Sequence, residues 1–132
     1  MRGVLIFLAS VLAPVLASGQ AAAQALSPMT GQVRTYTDRF ALQLKAFNPY
    51  ATGQRFRVTF YDESGAAVND VRSAAPVIYV PPGEEASFYV WGASTQRRQI
   101  HICVTSPYFL NGVGAQMRGE VCGKYDIVRL GQ

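Results

Sequence analysis

From Ser27 onward, apolar side chains recur at every second position and never at helical spacing for three turns, in short runs separated by turn-forming residues. Alternation of this kind marks half-buried strands. Phe40, Leu42, Leu44 and Ala46 share one face, with Ala41, Gln43 and Lys45 between them, and the run stops at Asn48-Pro49. Phe56, Val58 and Phe60 alternate with Arg57, Thr59 and Tyr61, and Asp62 to Gly65 supplies the next turn, so these two runs are expected to form a hairpin. Val77 to Val80 is a short apolar strand between Pro76 and Pro81-Pro82-Gly83, and the proline at its start suggests a sheet edge. Ala86 to Trp91, Arg98 to Ser106 and Arg118 to Leu130 continue the pattern, with a weaker strand around Gln32 to Tyr36. About seven short strands with regular turns predict an all-β chain folded as a single immunoglobulin-like antiparallel β-sandwich.

One register can be derived from the sequence. Asn111-Gly112-Val113-Gly114 has the Asn and Gly that tight hairpin turns with positive φ require. With Gly112 and Val113 at the tip, Ile100 faces Tyr125, Ile102 faces Gly123 and Val104 faces Val121, which makes one apolar side. The other side pairs His101 with Lys124, Cys103 with Cys122 and Thr105 with Glu120, a polar set expected to face outward. Directly opposed residues at a non-hydrogen-bonded site lie about 4.5 Å apart at Cα, near the spacing a disulfide needs. Cys103 and Cys122 are therefore expected to be bridged in an oxidising compartment. Pro107 interrupts the outgoing strand and calls for a bulge or an edge position. The alternative use of the same residues is a copper or zinc site built from His101, Cys103 and Cys122.

The N-terminus supplies the compartment. Arg2 precedes an apolar core from Val4 to Leu16, shorter than the ~20 residues a membrane-spanning helix needs, followed by the small-residue site Ala23-Gln24-Ala25. Residues 1–25 are expected to be a cleaved signal peptide and residues 26–132 one domain, periplasmic or secreted and not membrane-spanning once mature. The mature part carries eleven Lys plus Arg against eight Asp plus Glu, interspersed along the chain. That arrangement lacks the clustered basic stripe of a nucleic-acid binder.

The stretch AFNPYATGQRFRVTFYDESGAAV, followed by VPPGEEASFYV, resembles small bacterial immunoglobulin-like domains of the FxLYD type over about Ala46 to Val90. The resemblance implies the sandwich fold and carries no common catalytic residues. Pilus-assembly chaperones share the sandwich, but with two such domains and a basic anchoring pair in the cleft between them.

No nucleophile with an adjacent base, no G-x-S-x-G element and no phosphate loop is visible, and His101 is the sole histidine. Asp62, Glu63, Glu84 and Glu85 fall in turns, where acids are ordinarily solvated. The sequence reading is thus a non-enzymatic envelope module without a cofactor, binding another envelope protein or a surface polymer. Its expected interaction face is Tyr61, Tyr89 and Trp91 beside Arg55 and Arg57. The competing account has the segment Leu26 to Tyr36 covering one sheet and half-burying those aromatics. Two further readings are an anionic glycan or lipid headgroup on Arg55, Arg57, Arg97 and Arg98, and a periplasmic chaperone-like assembly factor.

Overall fold

The computed structural model describes residues 25–109 and 116–131, so the leader up to Gln24 and the tip Asn111 to Gly114 lie outside the described residues. Nine strands and no helix are present among them: β1 Ala25–Ser27, β2 Thr30–Thr35, β3 Arg39–Phe47, β4 Gln54–Asp62, β5 Val71–Ser73, β6 Val77–Val80, β7 Glu85–Ala93, β8 Arg98–Phe109 and β9 Gln116–Arg129. They form a two-sheet sandwich with orders β1-β3-β7-β5 and β2-β9-β8-β4-β6. All seven expected strands are present. The two additions, β1 and β5, are three residues each, too short to show an alternation.

Two expectations about pairing are corrected. β3 and β4 do not form a hairpin, because β3 lies in the four-stranded sheet and β4 in the five-stranded one. Every connection from β1 to β8 crosses between sheets, and β8–β9 alone joins neighbours directly. The sandwich is also not wholly antiparallel. β2 runs parallel to β9, from Thr30 opposite Lys124 to Thr35 opposite Arg129.

Alternation builds the core. Phe40, Leu44, Ala46, Phe88 and Val90 from one sheet meet Phe56, Val58, Ile100, Ile102, Val104, Tyr125 and Ile127 from the other, all buried. Large-to-small changes among such residues typically cost ~3–5 kcal/mol for an aromatic. β1 extends the smaller sheet, with Leu26 buried opposite Ala46, and the chain then switches to the larger sheet as β2. The Tyr125 hydroxyl donates to the Pro28 carbonyl at that switch, which ties the N-terminal segment to the centre of β9.

Asn48 holds two other crossings together. Its side chain is fully buried, and its Nδ2 donates to Thr52 O at 2.9 Å and Val80 O at 3.0 Å. Its Oδ1 accepts from the Tyr50 amide at 2.9 Å. One amide thereby satisfies carbonyls in the β3–β4 link and at the end of β6 that would otherwise be buried unpaired. Asp62 plays a similar local part, accepting from Ser64 N, Ser64 Oγ and Ala66 N. The Ser64 hydroxyl foremost, then the Ala66 amide, hold its carboxyl below the usual range.

Two outcomes follow from these buried polar groups. Asn48→Ala should lower unfolding stability by about 1–3 kcal/mol in a denaturant titration, because the carbonyls lose their donor. Burial pushes the Tyr125 phenol up to about 12. Its folded pKa is thus above the unfolded value near 10, so the stability it contributes is complete below about pH 10 and is lost as pH rises toward about 12. Ultraviolet titration should show one late phenol ionisation near pH 12 that Tyr125→Phe removes.

Candidate interaction surface

β8 and β9 pair continuously from Arg98–Ile127 to Phe109–Gln116, in the register derived from the turn, with Cys103 opposite Cys122. The two cysteines are joined, at a Cα separation of 4.0 Å. No bulge accompanies Pro107, which sits directly opposite Arg118.

Backbone direction explains this. The Lys124 amide donates outward to Met29 O, on the β2 side. Because strand amides alternate in direction, even-numbered residues of β9 aim their N–H and C=O groups away from β8, and odd-numbered ones bond to it. Opposite odd residues of β9 stand even residues of β8, so the odd residues of β8, Pro107 among them, direct their amides toward β4. The missing N–H of Pro107 therefore costs the β8–β9 ladder nothing. It ends the β4–β8 ladder instead, whose last pair is Arg57–Thr105.

Beyond that point β8 and β9 continue as a two-stranded ribbon. On its far side, β2 pairs with β9 only from Lys124 onward. Among the described residues, then, no strand pairs with the outer edge of β9 between Gln116 and Gly123. Glu120 and Cys122 present their backbone groups along that edge.

The disulfide lies at the ribbon's base on the outer face of the larger sheet. Cys103 departs from expectation in being 1% exposed, because its strand is central and Thr59 and Cys122 flank it on either side, whereas Cys122 is exposed. Glu120 reaches the bridge, with Oε1 3.6 Å from Cys122 Sγ, and accepts from Thr105 Oγ1 at 3.1 Å. The alternative metal set is overturned here. Both Sγ atoms are bonded to each other and no longer offer thiolates, and the group that clusters with them contains Glu120 rather than His101. Among the described residues, His101 Nε2 and Thr59 Oγ1 are buried without a hydrogen-bond partner.

The five residues expected to share one face do not. Arg55, Arg57 and Tyr61 stand on the outer face of the five-stranded sheet, where Arg55 faces Tyr79, Arg57 faces both Val77 and Thr105, and Tyr61 faces His101. Tyr89 and Trp91 stand on the outer face of the four-stranded sheet, opposite Gln43 and Ala41. β4 and β7 belong to different layers, and equal alternation in two strands cannot say which layer each joins. The covering account also fails, since β2 is an edge strand and Tyr89 and Trp91 are 55% and 39% exposed. Nor do the four arginines form one anion site, as Arg98 is held by Asp70 through contacts of 2.6 and 3.0 Å. That pairing, through the Arg98 hydrogen bond first, lowers the Asp70 pKa.

No family model matches this chain, and no curated protein matches it in sequence. Solved structures do match in fold. A chain of the Salmonella enterica SafA pilin–SafB chaperone complex superposes with a TM-score of 0.69 at 8% identity, over 82% of this chain and 55% of that one. The E. coli chaperone DraB gives 0.68 at 10% identity, again over 82% and 55%. WR4, a C. elegans MSP family member, gives 0.57 at 12% identity, over 80% of this chain and 96% of that one. This chain thus spans just over half the length of the pilus-system structures it matches. At such identities the likeness establishes the immunoglobulin-like sandwich and no more.

Closure of a loop of about twenty residues by a disulfide is worth ~3 kcal/mol in the chain-entropy account. Thiol titration of the native protein should find no free thiol, and Cys103→Ala with Cys122→Ala should reduce stability by about 2–4 kcal/mol while the far-ultraviolet strand signal is retained. Two titratable thiols in protein purified without reductant would contradict the bridge.

Proposed function

We propose that this chain is an exported, non-enzymatic module that captures an extended segment of another envelope protein on the outer edge of β9, in the manner of a periplasmic assembly chaperone. The single observation that carries the reading is the row of outward backbone groups on β9 that β2, beginning at Thr30 opposite Lys124, leaves without a partner strand among the described residues. Addition of a strand to such an edge takes its affinity from main-chain hydrogen bonds and its selectivity from neighbouring side chains. A long unpaired edge is otherwise a route to aggregation, so its retention favours a use. The fold likeness to structures described as chaperones with pilin or adhesin subunits supports the same class of partner. The leader expected at residues 1–25 would place the protein where such partners are assembled.

On this reading the bound segment pairs with the main chain of β9, while Arg57 and Tyr61 stand on β4, separated from that edge by β8. Tyr89 and Trp91, on the opposite face, take no part.

Glu120→Pro removes one outward N–H without touching the β8 ladder, and Gly119 before it tolerates the ring. Tagged mature protein expressed in its own envelope should retain its captured partner with Glu120→Ala and with Trp91→Ala, and lose it with Glu120→Pro, all three melting near the wild type. Capture undiminished in Glu120→Pro would sink strand addition at this edge, and capture lost in Trp91→Ala would move the site to the other sheet.

A further inference from the structure

The opposite sheet carries its own concavity, a groove of about 470 Å³ where β3, β7 and β5 meet the chain around Asp38 and Asn69. That volume falls within the range of small-ligand sites, about 300–1,000 Å³. Three features give it a chemical character.

The first is Trp91, the protein's one tryptophan, 39% exposed and flanked by Ala41 on β3 and Arg72 on β5. Ala41 is too small to cover the indole, so part of its apolar surface, bordered by polar groups, stays accessible. The second is a pair of uncommitted cations. Arg72 stands directly across from Trp91, and Arg39 faces Ala93, one step along the same face of β3 from Ala41. Neither makes a salt bridge among the described residues. Of the two acids in the lining, Asp70 is paired with Arg98, which leaves Arg39 and Arg72 against Asp38 and the groove net basic. The third is a set of neutral and acidic hydrogen-bonding side chains on the rim, Asn69 and Thr95 with Asp38. Amide and carboxylate side chains of this kind suit paired hydroxyls.

Close packing beneath the groove keeps these groups in place. A Cβ at Gly92 would meet Asp70 O at 2.9 Å and Val71 Cγ2 at 3.0 Å, so glycine there lets β5 and its Arg72 lie hard against β7. The Asp70–Arg98 pair fixes the chain just before β5 to the start of β8.

An aromatic platform, hydroxyl-binding side chains and two guanidinium groups without an ion pair among the described residues together match one ligand class. We infer that this groove binds an acidic glycan, with the apolar face of a pyranose stacked on Trp91 and its carboxylate held by Arg72 and Arg39. An extended acidic peptide satisfies the arginines but has no ring for the indole, and its backbone has the β9 edge available instead. The groove is independent of strand capture on β9 and gives the module a hold on a surface polymer while the other sheet engages protein.

Trp91 is also the reporter, since no other tryptophan contributes to emission. Trigalacturonate should change the fluorescence of the mature protein saturably, and neutral galactotriose should bind at least about tenfold more weakly, the loss expected when a charge-assisted contact is missing. Arg39→Gln with Arg72→Gln should weaken trigalacturonate by about tenfold or more. Trp91→Ala should abolish its calorimetric signal. Both variants should keep the wild-type circular dichroism melt and still capture the partner on β9. No saturable response to trigalacturonate, unchanged binding in the arginine variant, or equal affinity for tetraglutamate would each overturn the glycan site.

Discussion

The ladder between β8 and β9 is the constraint from which the other features of this protein take their positions. It is the one pairing made by a direct connection, and it lies at the centre of the larger sheet. Its register decides which residues of β9 enter the core, Tyr125 and Ile127 among them, and which aim their backbone outward. From there the remaining contacts follow locally. β4 joins β8 until Pro107 withholds an amide, and β2 joins β9 only as far as Lys124. The ribbon beyond both limits is what remains when a long hairpin has shorter neighbours. The disulfide sits where that ribbon leaves the sheet, and so clamps the two strands where lateral support ends.

The other strands are organised by repeated crossing between layers. Each crossing places consecutive strands in different sheets, so nearly all pairings are between residues far apart in sequence. Such topologies fold more slowly than those rich in local contacts. The buried polar groups stand at the crossings for a related reason: a chain leaving a sheet has backbone groups with no ladder to join, and a buried side chain must meet them. Asn48 does this for two links at once, and Ser94 donates to Thr37 O at 2.9 Å near a third. The same crossings give the domain two outer faces of different chemistry, one bordering the open edge of β9 and one bearing Trp91 with its arginines.

How much was legible in the sequence follows the same division. Alternation alone identified the seven longer strands, and the Asn111-Gly112 turn with apolar pairs such as Val104–Val121 settled the hairpin register and the cysteine pairing. Those signals are local, spanning one strand or one turn. Assignment of strands to sheets is not local. Phe56 to Tyr61 and Ala86 to Trp91 alternate in the same way, and nothing in either run says that their outer faces point in opposite directions. The parallel pairing of β2 was hidden for the same reason, and β5 because three residues carry no period. The Trp91 groove needed Arg39, Arg72 and Trp91 from three separate strands. One clue was present in the sequence without being read: Asn48 closes an alternating strand where a turn asparagine would ordinarily be exposed, yet its amide is fully buried.

The open edge can be observed directly by residue-resolved amide exchange in the isolated, oxidised protein. Val121 and Gly123 direct their amides into the β8 ladder, Lys124 donates to Met29 O, and Glu120 and Cys122 point outward with no strand beside them among the described residues. The expected result is slow exchange at Val121, Gly123 and Lys124, with fast exchange at Glu120 and Cys122. Equal protection at Glu120, Val121, Cys122 and Gly123 would show that the edge of β9 is already occupied, and would contradict its assignment as the strand-capturing surface.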